Sequence, residues 1–281
     1  MDRLQAAIHL DLDGGAHVFR THGWRYEARD DLLFATGLQT ALDFFDEAGV
    51  RATLFVIAED LAEPRKRELI RDAVRRGHDI ASHSLTHRDL TTLGRAEKWR
   101  EIFESRERLA QSLGVEVAGF RAPGFAMDRE SLQMIAEAGY QYDSSLFPTA
   151  EVANRVGLTA VSVSPERPLP DQPLVELPMP AYRPLPFPFH PCYSLVLGAW
   201  YFRLGLRLFR RTQAPLVLLF HLTDFADPLP KALLPHRRAR VYTLSHLGSE
   251  AKRRRCARML KIVAREYQLV PTGTLLAMIS G

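Results

Sequence analysis

Four times along the chain, a segment with apolar residues at helical spacing is followed by a glycine and then by a short apolar segment. Apolar residues three and four positions apart bury one face of a helix, and glycine is the usual residue where a helix ends in a left-handed turn. The apolar segments are continuous rather than alternating, as in parallel strands that are buried on both faces. This repeated alternation predicts a parallel sheet with helices outside it. The predicted strands are residues 52–58, 78–83, 115–121 and 140–145.

The pattern changes after the fourth of these units. Ten of the 18 prolines lie between Pro165 and Pro191, which predicts an extended, stiff excursion over residues 164–191. A barrel-like α/β protein is expected, with residues 1–281 forming one domain around this Pro-rich insertion. The elements predicted beyond the insertion are a helix over 194–211, a buried strand over 216–222, a helix from Ser249, a short strand near Leu269 and a last helical turn.

Side chains suited to acid–base chemistry or metal binding stand at the ends of the predicted strands. Asp11 and Asp13 end the first strand, and later strand ends carry His83, Arg121 and His221. In parallel α/β barrels the carboxyl ends of the strands form one face, and the active site lies there. We therefore expect these five side chains to converge.

The spacing of the histidines and aspartates indicates what this site could bind. His83 and His87 are four positions apart, which one helical turn would bring to the same side. Two imidazoles and one carboxylate leave an open position on a divalent metal, as in catalytic sites. Asp11 and Asp13 alternate along a strand and so face the same side. Each motif alone also fits a structural role, as surface or capping residues, but the combination favours metal-dependent chemistry.

The composition excludes several classes of protein. Of the 281 residues, 46% are hydrophobic and 25% are charged, which is typical of a globular protein and excludes disorder and collagen-like repeats. Two cysteines, Cys192 and Cys256, cannot form a disulfide framework, so we expect a reducing compartment. The apolar segment 195–202 is too short to span a membrane, and acidic residues interrupt the N-terminus before a signal-peptide core. We therefore expect a protein that is cytoplasmic or peripheral at the inner face of the membrane.

The net charge of +4 conceals an asymmetry between the two parts of the chain. The basic C-terminal part, residues 201–281, has 15 Lys and Arg against 4 Asp and Glu, whereas the first 200 residues have 22 against 29. The clusters at 236–240 and 252–258 suggest an anionic partner, either a phosphorylated substrate or the inner face of an anionic membrane; the alternative is a solvated helix face. No nucleic-acid recognition motif is present in the sequence, so no nucleic-acid partner is expected.

Taken in order, several segments resemble the polysaccharide deacetylases that carry the NodB-homology domain, carbohydrate esterase family 4. The most specific match is GHDIASHSLTH at residues 77–87, and the resemblance covers about residues 6–275. It implies a distorted (β/α) barrel of the NodB-homology type and metal-dependent hydrolysis of an N-acyl amide, usually on an N-acetyl sugar. The other matching segments are residues 9–15, 119–125, 142–148, 174–180 and 216–225.

The resemblance also implies roles for individual residues. A divalent metal would be held by Asp13, His83 and His87, and zinc is favoured by its affinity for histidine and carboxylate ligands. Metal-activated water would then attack the amide. The catalytic residues that the resemblance implies are Asp11 as the general base, His221 as the general acid and Arg121, which would orient Asp11 and keep it ionised.

The sequence departs from the family pattern at three places. One residue separates the two aspartates of the first motif, Phe125 stands where a tyrosine is usual, and no tryptophan follows Asp143. The aspartate that tunes His221 is therefore either Asp224 or Asp143. The candidate substrate-binding residues are Pro123, Phe125 and Asp224, with His17 and His22 as further candidates for substrate contact.

Three functions remain open from the sequence. The first is removal of an N-acyl group from a sugar or glycoconjugate, which the apolar segment 185–206 and the basic C-terminal part would suit if the substrate is lipid-linked and phosphorylated. The second is hydrolysis of a small linear or cyclic amide, as in the allantoinase-like or deformylase-like branch of the same fold. The third is a non-catalytic carbohydrate- or lipid-binding protein, which bound metal and released acetate or formate would exclude.

Overall fold

A parallel sheet forms the centre of the structure, a computed structural model that describes residues 3–28, 30–182 and 187–280. Each strand of this sheet runs in the same direction as its neighbours, whereas β7 and β8 form a separate antiparallel pair. The strands of the described residues are β1 (Leu4–Asp11), β2 (Ala52–Val56), β3 (Asp79–Ser82), β4 (Gly119–Phe120), β5 (Tyr142–Asp143), β6 (Val175–Glu176), β7 (Ala181–Tyr182), β8 (Phe187–Pro188), β9 (Leu216–His221) and β10 (Tyr267–Leu269).

The order of the strands shows how the sheet curves. β1 pairs with β9 and with β2, and the order continues from β2 through β3, β4 and β5 to β6. β10 pairs with the first residues of β1. Among the described residues β6 does not pair with β9, so the curled sheet is an open barrel surrounded by helices. The distorted (β/α) barrel that the sequence predicts is confirmed.

The helices lie outside the sheet, and two of them end at glycines as the sequence predicts: Gly49 and Gly114 have φ of 65° and 68°. Within the described ranges no helix combines the length and the apolar character that crossing a membrane requires. The helices are α1 (Gly15–Thr21), α2 (Leu32–Ala48), α3 (Pro64–Arg75), α4 (Arg95–Trp99), α5 (Ser105–Leu113), α6 (Arg129–Glu137), α7 (Ala150–Arg155), α8 (Pro191–Leu197), α9 (Ala199–Phe209), α10 (Arg237–Tyr242), α11 (Ser249–Glu266) and α12 (Thr272–Ser280).

The first strand separates two apolar layers. Ala6 and Leu10 belong to the large core between the sheet and the helices, whereas Ala7 belongs to the smaller core inside the barrel. Successive residues of a strand point to opposite faces. His9 and Asp11 therefore share the interior side with Ala7, and Asp11 lies at its carboxyl end.

Two predicted elements differ from the structure. The helix predicted over 194–211 is two helices, α8 and α9, because Gly198 has φ 97° and ψ 165° and breaks the helical hydrogen bonds. The Pro-rich segment 164–191 is not entirely an excursion, since it contributes β6, which pairs with β5 in the sheet. Residues 183–186 of that segment lie outside the described residues.

Candidate active site

The carboxyl ends of five parallel strands lie side by side at one edge of the sheet. Asp11, the last residue of β1, is in register with Phe55 of β2 and with His221, the last residue of β9. His83 follows directly after β3, and Arg121 follows directly after β4. Because the strands are parallel, their carboxyl ends bring these side chains to one place.

Arg121 is fully buried, and its guanidinium group is the centre of a hydrogen-bond network. Nη1 donates to Asp11 Oδ1 at 2.6 Å, and Nη2 donates to His9 Nδ1 at 2.7 Å. Nε donates to the Ser144 carbonyl at 2.7 Å, and Nη2 also donates to Ser144 Oγ at 2.9 Å. The Phe55 ring lies beneath the guanidinium, with its centroid 3.9 Å away. A buried charge is tolerated when it is both paired and hydrogen-bonded, and Arg121 meets both conditions.

The two carboxylate oxygens of Asp11 have different surroundings. Oδ1 accepts the hydrogen bond from Arg121, whereas Oδ2 lies 4.0 Å from Nε2 of both His83 and His221. One oxygen is therefore held in place, while the other faces the centre of the site and is available to accept a proton.

His9 supports this arrangement from inside the barrel, and the sequence analysis assigned it no role. The guanidinium group can only donate, so Nδ1 of His9 must accept, and the ring proton is on Nε2, 3.1 Å from Thr272 Oγ1. Burial and the charge of Arg121 hold the pKa of His9 well below its usual value. His9 is thus a neutral acceptor that fixes the orientation of Arg121.

Asp13, His83 and His87 form a group of three potential metal ligands. Asp13 Oδ1 lies 3.4 Å from His83 Nε2 and 2.8 Å from His87 Nε2. His83 Nδ1 is 2.8 Å from the carbonyl oxygen of Arg121. A hydrogen bond donated from Nδ1 fixes the ring and leaves the Nε2 lone pair facing the carboxylate, which is how metal-binding histidines are usually oriented.

One observation tests whether these residues fit a metal. Oδ1 of Asp13 is buried and accepts no hydrogen bond from the described residues, although two imidazole nitrogens are close to it. Zinc binds carboxylate oxygen and imidazole nitrogen at about 2.0–2.2 Å, so that ligand atoms around one ion lie roughly 3 Å apart. A buried carboxylate oxygen that accepts no hydrogen bond and lies beside two imidazole nitrogens therefore fits a divalent metal.

Burial and neighbouring charges shift the pKa values of Asp13, His83 and His87 in different directions. Burial raises the pKa of Asp13, but His87 and His83 outweigh it and hold this pKa well below its usual value. Burial lowers the pKa of His87 in spite of Asp13. An ionised carboxylate and a neutral imidazole are the forms that bind metals. Burial also lowers the pKa of His83, but Asp11 and Asp13 prevail and raise it, so metal binding at His83 competes with a proton.

The segment from His83 to His87 does not form the helical turn that the four-residue spacing predicts. Ser84 and His87 have φ of 67° and 58°, in the left-handed region, and Ser84 Oγ accepts a hydrogen bond from the His87 N–H at 3.0 Å. The two imidazole rings still meet, with centroids 5.0 Å apart. They are brought together by a tight turn and not by a helix.

Glu101 holds that turn in place. It lies in the π-helical turn Arg100–Glu104 between α4 and α5, and its buried carboxylate accepts hydrogen bonds from the N–H groups of Leu85 and Thr86 at 3.1 and 2.8 Å. The Thr86 hydroxyl also donates to it. π-helical turns occur frequently at functional sites. The sequence does not indicate this role of Glu101, because nothing in the local pattern distinguishes it from other helical glutamates.

Asp224 is the acidic residue beside His221. Its Oδ2 accepts a hydrogen bond from the His221 N–H at 3.0 Å, and no side chain of the described residues bonds to the buried Nδ1 of His221. Burial raises the pKa of Asp224 to about 6, although the charges of His221 and Lys252 act in the opposite direction. Lys252 is fully buried as well, and its Nζ donates to the Thr223 carbonyl at 2.8 Å.

Asp143, the alternative partner of His221 in the sequence analysis, lies in another group. It accepts hydrogen bonds from the N–H and hydroxyl of Ser145 at 3.1 and 2.8 Å, and the same N–H donates to Glu176 at 3.2 Å. In the described part of the chain none of its hydrogen bonds reaches His221. Of the two candidates, Asp224 is the one that contacts His221, and it does so at the backbone N–H and not at the imidazole ring.

A cavity of about 580 Å³ opens beside His221. Of the three candidate substrate-binding residues, Phe125 lines it, whereas Pro123 and Asp224 are buried outside its lining. The Phe125 ring packs edge-on against Phe147, with centroids 5.0 Å apart. The rest of the lining, which the sequence did not indicate, comes from α7 and the residues before it, from the end of the Pro-rich segment and from α8: Phe147, Thr149, Ala150, Glu151, Val152, Pro188, His190, Cys192 and Tyr193.

The two histidines that follow the first motif have structural contacts. His17 is buried in α1, and its Nε2 lies 3.0 and 3.1 Å from the two carboxylate oxygens of Asp60. Its ring lies 5.7 Å from that of His87. His22 stacks on Trp24, with ring centroids 4.5 Å apart.

Comparison with known proteins agrees with the sequence resemblance. Residues 28–142 match the family model described as polysaccharide deacetylase. This segment contains His83, His87 and Arg121, whereas Asp11, Asp13 and His221 lie outside it.

The chain is 33% identical over 99 residues to a chitooligosaccharide deacetylase of Sinorhizobium fredii, which is 35% of this chain and 45% of that protein. It is 31% identical over 134 residues to a chitooligosaccharide deacetylase of Rhizobium leguminosarum bv. phaseoli, which is 47% of this chain and 50% of that protein. The chain thus spans half or less of the length of these relatives.

Solved structures share the fold over nearly the whole chain. A Mycobacterium smegmatis protein provisionally named a polysaccharide deacetylase superposes with a TM-score of 0.70 at 21% identity, covering 99% of this chain and 91% of that one. An allantoinase superposes with a TM-score of 0.62 at 16% identity, covering 97% and 89%. At these identities the likeness concerns the fold alone.

Proposed function

We propose that this chain, which resembles the polysaccharide deacetylases in sequence and in fold, is a metal-dependent hydrolase that removes an N-acyl group, such as acetyl, from an amino sugar or a glycoconjugate. One observation carries the proposal. Two imidazoles and the Asp13 carboxylate stand next to Asp11 Oδ2, which lies 4.0 Å from Nε2 of His221. A ligand set, a base and an acid therefore meet at one edge of the barrel.

Asp13, His83 and His87 would hold the divalent metal, for which zinc suits the two imidazoles and the carboxylate. When bound, such an ion lowers the pKa of water and polarises a carbonyl group. Hydrogen bonds within the chain orient two of these ligands: the Arg121 carbonyl orients His83, and Ser84 Oγ holds the backbone of His87.

Asp11 is proposed as the general base. Arg121 holds Oδ1, so that the carboxylate does not rotate and Oδ2 keeps facing the site. Oδ2 accepts the proton of the attacking water, and the charge of Arg121 compensates the charge of the carboxylate.

His221 is proposed as the general acid. The amine that leaves an amide is a poor leaving group and must be protonated. Nε2 of His221 faces the site, and the bond from its own N–H to Asp224 fixes the turn in which it stands. Asp11 therefore takes a proton from water and His221 gives one to the amine, at atoms that lie 4.0 Å apart.

The relatives named chitooligosaccharide deacetylases support an N-acetylated sugar as the substrate class. The aromatic cavity beside His221 supports it too, since Phe125 and Phe147 offer apolar faces on which a sugar ring can pack.

The test is release of acetate or formate from a panel of substrates by the purified, metal-loaded chain. The panel contains chitooligosaccharides, N-formyl and N-acetyl glycoconjugates, and allantoin as a small cyclic amide. We expect activity on the N-acyl sugars, a loss of about 10²–10⁴-fold in Asp11→Asn with the metal retained, and wild-type activity in the exposed control Asp89→Asn. Turnover of allantoin alone would assign the chain to small amides. Bound metal without any turnover would contradict the proposal.

A further inference from the structure

Helices α8 and α9 expose large apolar side chains to solvent. Their exposed fractions lie between 41% and 62%, and they stand on two successive helices that Gly198 separates. Single exposed apolar residues are ordinary, but a concentration of five within twelve residues marks an interaction surface. We call this group the α8–α9 surface; it consists of Tyr193, Val196, Leu197, Trp200 and Leu204.

Arginines flank the α8–α9 surface. Arg203, Arg207, Arg210 and Arg211 line a groove of about 570 Å³ between α9 and α11. The acidic residue of that groove, Glu266, pairs with Arg210 at 2.7 Å. Within the described ranges the other three arginines form no ion pair. The sequence contains no Asp or Glu from Leu177 to Thr223, so this face of the molecule is apolar and positively charged.

The basic cluster at 252–258, which the sequence analysis considered for an anionic partner, has different surroundings. Lys252 is buried. Arg253 and Arg254 form ion pairs with glutamates, and Arg255 donates to the carbonyl of Leu195 at 3.0 Å. Most of the positive charges of this cluster therefore have partners within the protein. Arg203 and Arg207 of α9 form no ion pair with the described residues.

We propose that the α8–α9 surface docks on an anionic lipid bilayer. Tryptophan and tyrosine favour the boundary between headgroups and acyl chains, and aliphatic residues of the same face can enter the upper acyl region. The arginines beside them would meet lipid phosphates. A second copy of this chain is a poorer occupant, because it would bring a second set of unpaired arginines against the first.

Docking would also position the candidate active site. Tyr193 belongs to the α8–α9 surface and lines the cavity beside His221. The bilayer would then lie at the mouth of that cavity. This consequence rests on the proposed function. The docking itself does not, and the docking can be tested without any enzyme assay.

The experiment is co-sedimentation of the full chain with vesicles made of equal parts of phosphatidylglycerol and phosphatidylcholine, and with pure phosphatidylcholine vesicles, at low salt. The double variant Arg203→Gln with Arg207→Gln should partition about 30-fold more weakly into the anionic vesicles, from roughly 1 kcal/mol per arginine near the surface. Trp200→Ser with Leu204→Ser should lose roughly tenfold or more. The charge-matched control is Arg253→Gln with Arg254→Gln, for which we expect wild-type partitioning.

Each possible result either supports or overturns the docking proposal. Wild-type protein that stays in the supernatant with anionic vesicles overturns the proposal, as does an equal loss in the control variant. If sedimentation velocity shows a dimer that Trp200→Ser with Leu204→Ser dissociates, the surface is a self-interface and the proposal fails. Thermal melts check that each variant folds; if the apolar variant does not, the arginine variant and its control decide alone.

Discussion

Arg121 Nη1 donates to Oδ1 of Asp11 at 2.6 Å, and the two residues are separated by 110 positions in the chain. Both side chains are buried, so the pair joins the ends of β1 and β4 without the screening that water provides. The hydrogen bond leaves one oxygen of Asp11 facing the site and compensates its charge. The stability of the fold and the orientation of the proposed base therefore depend on the same contact.

Removal of Arg121 should be costly. We expect Arg121→Met to lower the free energy of unfolding by about 3–5 kcal/mol, because the Asp11 carboxylate remains buried without its partner. Urea unfolding followed by circular dichroism measures this. The control Arg100→Met breaks the exposed pair with Glu104 and should change stability by less than about 1 kcal/mol. If Arg121→Met lost no more stability than Arg100→Met, the buried Asp11 carboxylate would have found another partner.

The metal should depend on the two histidines of the turn after β3. We expect about one zinc ion per chain in the wild type, and none in His83→Ala or His87→Ala, whose barrels should remain folded. Elemental analysis of the purified proteins measures the content. His22→Ala, a nearby histidine that stacks on Trp24, should keep the metal. Full occupancy in both ligand variants would exclude this ligand set.

The proposed acid and base can be separated by the leaving group. His221→Ala should lose about 10²–10⁴-fold on an N-acetyl sugar but much less on an activated ester, whose leaving group needs no proton. Asp11→Asn should lose activity on both substrates, since water must be deprotonated in either case. Steady-state kinetics on the matched amide and ester give the two ratios. Equal losses on amide and ester in His221→Ala would contradict its role as an acid.

The buried carboxyl groups of Asp143 and Glu176 should make stability depend on pH. Burial and the neighbouring Asp143 raise the pKa of Glu176 well above its usual value. A raised folded-state pKa means that the stability from this group is complete below the unfolded pKa, about 4.3, and is lost as the pH rises through the folded pKa. Glu176→Gln removes this loss.

We therefore expect Glu176→Gln to gain stability relative to the wild type as the pH rises from about 5 to 8, by up to about 1.4 kcal/mol per pH unit. Urea unfolding at several pH values measures the difference. The exposed control Glu137→Gln should show a constant difference across the same range. A difference for Glu176→Gln that is also constant would mean that Glu176 is already ionised in the folded protein.

Glu101 should act on the metal through the turn that it holds. Glu101→Ala leaves the N–H groups of Leu85 and Thr86 without their acceptor, so we expect zinc affinity to fall about 10–100-fold. Competition with a chelator of known affinity measures it. The control Glu104→Ala lies in the same π-helical turn but is paired with Arg100 at the surface, and its zinc affinity should not change.

The local pattern of apolar residues and glycines was sufficient to predict the parallel sheet. The helices that end at glycine, such as α2 at Gly49, and the continuous apolar strands that follow are properties of neighbouring residues. Parallel strands end at a common edge, so the meeting of Asp11, His83 and His221 could be inferred before any coordinates were considered. The same reasoning could not show that His83 and His87 meet through a left-handed turn, because the carboxylate that holds this turn belongs to another segment.

By itself, the sequence determined the parallel α/β barrel and the strand ends on which reactive side chains stand, because both follow from local periodicity and from the direction of the strands. Contacts between distant segments decided the rest. Only the tertiary structure shows that Asp143 lies beside Glu176 and not beside His221, and that Glu47 neutralises Arg253 across 206 positions. It alone shows that the α8–α9 surface is left exposed. Burial and charge compensation depend on what the folded chain brings into contact, and spacing along the sequence does not record it.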